Sequence, residues 1–140
     1  MRIKLLVAVI GVGLLAAAAP ARAHHAFSAE FDVKKPLTLK GTLVKWEMIN
    51  PHSWFHIEVK DPNGEVVEWM VEGGSPNSLI RQGVTKATLQ IGMELVIEGY
   101  QAKDGANRAN GRDLLFPDGR KLFIGADASE KGSDDKPAEK

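Results

Sequence analysis

The chain has 140 residues, with 18 basic residues balanced by 18 acidic ones, and it contains no cysteine. The lack of cysteine excludes disulfides, thiolate metal sites, a thiol nucleophile and a lipid-modified cysteine. The balanced charge gives no long-range attraction to nucleic acid, and the length suits one compact domain.

The first 23 residues are typical of a cleaved secretory signal. Arg2 and Lys4 supply the positive start, residues 5–19 are apolar, and Ala21-Arg22-Ala23 fits the small-residue cleavage site. We therefore expect a mature chain that begins at His24, is exported to the periplasm or secreted, and has 15 basic against 18 acidic residues. No later apolar run has the roughly 20 residues needed to cross a bilayer, so we expect no membrane span after signal cleavage.

Three strands are predicted after an irregular lead-in over residues 27–36. Residues 37–46 and 54–60 alternate between apolar and polar side chains, which is the period of a half-buried strand. The turn sequence Asp61-Pro62-Asn63-Gly64 then leads to a third strand over residues 66–72.

A short helix follows the third strand. Ser75 is the predicted N-cap, Pro76 the first helical residue, and Gly83 lies just past the end. Further strands are predicted at residues 94–100, 112–116 and 121–124, with a polar loop over 103–111 between the first two.

This order of elements predicts an all-β fold, a small antiparallel Greek-key barrel of OB-like type with one short helix. An open antiparallel sandwich uses the same strands, and periodicity does not separate the two. The predicted organisation is a signal peptide at 1–23, a single β-barrel domain at 24–125 and a disordered charged tail at 126–140. Alternation predicts a shared core of Leu39, Leu43, Phe55, Ile57, Val67, Trp69, Leu95 and Ile97.

The four histidines form two short clusters, His24-His25 at the predicted mature start and His52 with His56. A terminal histidine offers its ring and its α-amino group as nitrogen ligands, a donor set that favours copper(II). His52 and His56 would lie about 13 Å apart on an extended strand, so they do not share an ion. We predict a copper site from His24, His25 and His52. The alternative is a solvated chain end and a loop-capping His52.

Four further residues are candidates for binding a small ligand: Trp54, His56, Lys103 and Arg108. Trp54 is expected on the exposed face of its strand, where its ring can stack on a ligand. Lys103 and Arg108 flank a glycine in a loop that can hold an anion. Structural roles explain the same residues equally well, with His56 as a half-exposed imidazole and the loop as a solvated hairpin connection.

Four strings occur together along the chain: His24-His25-Ala26-Phe27, Asn50-Pro51-His52, Glu72-Gly73-Gly74-Ser75-Pro76-Asn77 and Lys103-Asp104-Gly105-Ala106-Asn107-Arg108-Ala109. In this combination the chain resembles an uncharacterised family of small exported bacterial proteins, over the mature domain up to about Gly125. The resemblance implies a signal-bearing, single-domain β protein outside the cytoplasm. It implies no activity and no catalytic residues.

The hypothesis that these features favour is a non-enzymatic exported module that binds a small ligand or a metal ion, with copper as the candidate metal. One alternative is a protein-interaction or envelope accessory domain without metal. Another is a copper-dependent oxidoreductase that uses the N-terminal histidine, although so short a domain has little room for a broad substrate face. Export and a mature net charge of −3 oppose nucleic-acid binding.

Overall fold

The structure, a computed structural model, describes residues 27–126. The chain divides into two units, Met1–Glu30 and Phe31–Lys140. Of the first unit only residues 27–30 are described, and they are helical. The described part of the second unit contains β1 (Phe31–Glu47), β2 (Trp54–Lys60), β3 (Val66–Glu72), α1 (Pro76–Arg81), β4 (Glu94–Ala102), β5 (Arg108–Leu115) and β6 (Lys121–Phe123).

The strands form one sheet that closes on itself. Their order is β3-β2-β1-β4-β5-β6, and a parallel pairing of β3 with β5 joins the two sides of the sheet. The ring β1-β2-β3-β5-β4 is therefore complete. Along the chain, α1 connects β3 to β4. This arrangement confirms the predicted OB-like barrel with a short helix and rules out the open sandwich.

The long strand β1 makes closure possible because it serves two neighbours. Its first part pairs with β4, from Phe31 to Thr42, and its second part pairs with β2, from Gly41 to Glu47. At the changeover, a Cβ on Gly41 would lie 2.2 Å from the carbonyl oxygen of Glu58. Only glycine allows the backbones to approach this closely where the strand changes partner.

The core agrees with the alternation in the sequence, with one exception. Six of the predicted core residues are buried: Leu39, Leu43, Phe55, Ile57, Leu95 and Ile97. Trp69 is partly buried and packs against them, whereas Val67 is only half-buried and Val71, further along β3, lies fully inside. Leu79 of α1 also packs into this cluster. Ser75 caps the helix as predicted, since its side chain accepts the backbone N–H of Ser78.

Two predicted irregular segments are strands in part. β1 begins at Phe31 rather than residue 37, and β5 begins at Arg108, inside the segment predicted as a loop. Residues 32–36 are largely exposed and show no alternation, and this part of β1 pairs with β4 at Phe31 and Pro36, with an irregularity of the register between them. The start of β5 is fixed by its neighbours, because Arg108 pairs with Met70 of β3. The predicted tail at 126–140 lies outside the described residues except for Ala126.

Candidate functional site

His52 lies two residues before the start of β2. The preceding Asn50–Pro51 peptide bond is cis. The buried Ser53 extends the β2–β3 ladder by one step, since its N–H donates to the Gly74 carbonyl and its carbonyl accepts the N–H of Gly73, at 3.0 and 2.8 Å. The backbone that follows His52 is therefore fixed by the sheet.

The imidazole of His52 is paired with the carboxylate of Glu72, the last residue of β3. Nδ1 of His52 lies 2.5 Å from Oε1 of Glu72. The two side chains differ in exposure, 39 % for His52 and 9 % for Glu72. The buried carboxylate accepts the Nδ1–H, which fixes the ring orientation and, in the neutral ring, leaves the lone pair on Nε2. The pair also joins two of the sequence strings described above, Asn50-Pro51-His52 and the segment that begins with Glu72.

His56, in contrast, has a carboxylate at each ring nitrogen. Its Nδ1 lies 2.7 Å from Oε1 of Glu68 on β3, and its Nε2 lies 3.1 Å from Oε2 of Glu47 at the end of β1. The pKa of Glu47 is lowered by a hydrogen bond from Lys45 and by the contact with His56. His56 is only 8 % exposed, whereas the structural alternative expected a half-exposed imidazole. It bridges three neighbouring strands.

The remaining sequence candidates are spread over a wider surface. Trp54 and His56 share the outer face of β2, where Trp54 is half-buried rather than exposed. Arg108 lies in the same row as His56, two strands and about 10 Å away, with Met70 between them. It lies over the ring of Phe31 and near Asp104. Lys103 is exposed in the β4–β5 connection.

The other predicted copper ligands, His24 and His25, lie outside the described residues. Within residues 27–126 no three histidine, aspartate or glutamate side chains come together as a group that could hold a metal ion. The described part of the chain therefore offers His52 as a single oriented ligand and not a complete coordination shell.

Sequence reasoning missed the glutamates that engage both histidines of this region. The turn after β2 contained the necessary signal, because a turn fixes the register of the strands that it connects. In this register Glu72 pairs with Trp54, which lies two residues after His52. Glu68 pairs with Glu58, which lies two residues after His56, so each glutamate is close to a histidine in the sheet. Counting across the predicted hairpin would have found Glu72 and Glu68. Glu47 requires the pairing of β1 with β2 as well.

The fold and this site define a small closed β-barrel with one histidine oriented by a buried carboxylate. The chain belongs to a family of unknown function (DUF6152), whose family model matches residues 11–111. This match confirms the resemblance to an uncharacterised family. No curated protein matches the chain, and no solved structure matches it. In residues 27–126, no helix has the length and apolar character needed to cross a membrane.

Proposed function

We propose that the chain is an exported, non-enzymatic module that binds copper(II), with His52 as the ligand supplied by the barrel. The observation that carries this proposal is the His52–Glu72 pair, in which a buried carboxylate holds an imidazole that is 39 % exposed. His24 and His25 are the proposed terminal chelate, as the predicted signal cleavage would leave His24 with a free α-amino group.

The chemistry of the pair supports a role in metal binding. Histidines that bind metals commonly donate their second ring N–H to a carboxylate, which fixes the tautomer and makes the coordinating nitrogen more basic. Glu72 stands in that relation to His52, and the exposed part of the imidazole is where an ion would arrive. Copper(II) is favoured over zinc because nitrogen donors follow the Irving–Williams order.

The contrast between the two histidines of this region makes the proposal specific. A ring nitrogen that coordinates a metal must present its lone pair to the ion. Each ring nitrogen of His56 has a glutamate at hydrogen-bond distance, so a metal ion would have to displace Glu47 or Glu68. The contact found for His52 is on Nδ1. We therefore assign the copper ligand to His52 and a structural role to His56.

The proposal is tested by titrating the exported, processed protein with copper(II) and with zinc(II). Intact mass first establishes the mature start, which we expect at His24. We then expect copper to bind more tightly than zinc. A variant with one additional residue before His24 should lose most of its copper affinity, because the ring and α-amino group no longer chelate together. His52→Ala should weaken binding less, because it removes one ligand and leaves the terminal chelate in place.

The matched control is His56→Gln, which alters the other histidine of the same segment and should leave copper affinity unchanged. The unfolding midpoint of each variant shows that the barrel is intact. Equal copper affinity of native and extended proteins would remove the terminal chelate from the proposal. If processed protein binds no copper at all, the proposal fails and the metal-free interaction domain becomes the better account.

A further inference from the structure

The first part of β3 has a paired strand on one side only. All seven residues of β3 pair with β2, in a register without a shift. Its last residues, 70–72, also pair with β5 on the other side. Within residues 27–126, no strand pairs with residues 66–69 on the side away from β2. Residues 66–69 therefore form an open edge of β3.

Two residues of the open edge direct their backbone groups away from β2. The N–H of Met70 donates to the carbonyl of Asn107, just before β5, at 3.0 Å. Alternate residues of an antiparallel strand direct their N–H and C=O groups to the same side. Glu68 and Val66 lie two and four residues before Met70, so their N–H and C=O groups also point away from β2. These groups are aligned to pair with a further strand.

The open edge lacks the features by which proteins usually protect an exposed strand. Those features include proline, lysine, a bulge and a very short strand. Elsewhere in this barrel β6 has only three residues, and β1 contains Pro36 and shifts in its register. β3 contains neither proline nor lysine, and Val66 is 57 % exposed. A regular apolar edge of this kind is suited to β-augmentation, in which an extended peptide adds a strand.

Two carboxylates determine the charge that an added strand should carry. Glu68 pairs with Glu58 of β2, and like charges opposite each other in a sheet are destabilising. The Glu68 side chain is 54 % exposed, although its Oε1 contacts His56. Lys60 lies on the same face but pairs with Val66. A basic side chain opposite Glu68 in a neighbouring strand would therefore offset the repulsion between the two glutamates.

The same carboxylates disfavour a second copy of this chain as the partner. Two open edges related by a two-fold axis would pair as antiparallel strands of one continuous sheet. The Glu68 side chains of both copies would then lie on one face, with both Glu58 side chains on the strands behind them. A different protein segment that carries a basic residue avoids this accumulation of negative charge.

We propose that the open edge binds an extended segment of another protein as an added strand, with a lysine or arginine opposite Glu68. Apolar or β-branched side chains of that segment would lie opposite Val67 and Trp69, which are half-buried on the core side of β3. Glu68 lies four residues, or about 13 Å, from Glu72 along the strand. The site therefore uses none of the proposed copper ligands, and each proposal can fail without the other.

A short synthetic peptide tests the proposal. The probe is acetyl-Thr-Val-Lys-Val-Thr-amide, whose side chains read the same in both directions, so that lysine can lie opposite Glu68 in a parallel or an antiparallel strand. It is titrated into the processed, ¹⁵N-labelled protein, with the backbone amides of Val66 and Glu68 as reporters. We expect saturable shifts at these two amides.

Two altered peptides separate the backbone contribution from the charge contribution. In the first, the three central amides are N-methylated, so that the peptide can neither donate to the open edge nor approach it closely. This peptide should cause no saturable shift. In the second, glutamate replaces lysine, and binding should be weaker by about fivefold or more, since an attractive exposed pair becomes a repulsive one.

Two variants of the protein locate the contact. Val66→Pro removes an N–H that points away from β2, so the pairing of β2 with β3 is retained while peptide binding should be lost. Its matched control, Val66→Ala, keeps that N–H and should keep the peptide affinity to within about threefold. Glu68→Lys should reverse the preference, so that the glutamate peptide binds better than the lysine peptide. Its matched control is Glu94→Lys on β4, an exposed position three strands away.

The unfolding midpoint of each variant shows that the barrel is intact, and Glu68→Lys decides the matter if Val66→Pro does not fold. The absence of saturable shifts at Val66 and Glu68 would overturn the proposal. So would equal binding of the N-methylated peptide, unchanged binding by folded Val66→Pro, or an unchanged preference in Glu68→Lys. Sedimentation of the protein alone should show a monomer. A dimer that Val66→Pro abolishes would assign the open edge to a second copy instead.

Discussion

Removing the Phe55 side chain should destabilise the barrel more than a change on its surface. Phe55 is fully buried, and its ring stacks on Trp46 with a centroid separation of 6.3 Å and an interplanar angle of 7°. It also fills the space beside Gly73, where a Cβ would lie 2.8 Å from Cε2 of Phe55. A substitution by alanine leaves a cavity beside Trp46 and Gly73, and Gly73 has no side chain that could fill it.

We expect Phe55→Ala to lower the free energy of unfolding by about 3–5 kcal/mol, the usual cost of truncating a buried phenylalanine. The ring stack, worth roughly 0.5–1.5 kcal/mol, favours the upper part of that range. Equilibrium unfolding in urea measures this change. The control is Val66→Ala on β3, where the side chain is 57 % exposed and the expected change is within about 0.5 kcal/mol. Similar midpoints for the two variants would refute the assignment of Phe55 to the interior.

Two further predictions concern the backbone of β4 and the acid stability of the barrel. Gly99→Ala should destabilise the fold more than Gly64→Ala, as measured by thermal unfolding. The new Cβ at residue 99 would overlap the carbonyl of Asn110, whereas the Cβ at residue 64 meets no atom and is disfavoured only by the positive φ of that residue. The pKa of Glu47 is lowered chiefly by Lys45. The stability that ionised Glu47 contributes is present above the ordinary pKa of a glutamate, and it is lost as the pH falls through the lowered pKa of Glu47. The variant Glu47→Gln should therefore lose less stability on acidification than the native protein.

The parts of the fold that follow local rules were predictable from the sequence. β2 and β3 have the predicted limits because their side chains alternate and a strong turn sequence separates them. The helix follows from Ser75 and Pro76 in the same way. The start of β1 was not predictable, since residues 32–36 are mostly exposed without alternation and the register with β4 is irregular between Phe31 and Pro36.

The candidate sites were predictable only in part. His52 was identified by its position in the sequence, whereas its partner Glu72 lies on another strand and follows only from the register of the hairpin. The one-residue shift between β4 and β5, which makes Arg112 an extra residue on β5, could not be predicted from the sequence. Alternation indicates which side of a strand is buried, but it does not indicate where a ladder slips.

The most direct test of the central claim is the number of nitrogen ligands on copper(II) bound to the processed protein. Electron paramagnetic resonance at one equivalent of copper should show imidazole coordination that includes His52. In His52→Ala the spectrum should show one imidazole nitrogen fewer, while His56→Gln should retain the native spectrum. An unchanged spectrum in His52→Ala would contradict the claim that the histidine oriented by Glu72 is the copper ligand of the barrel.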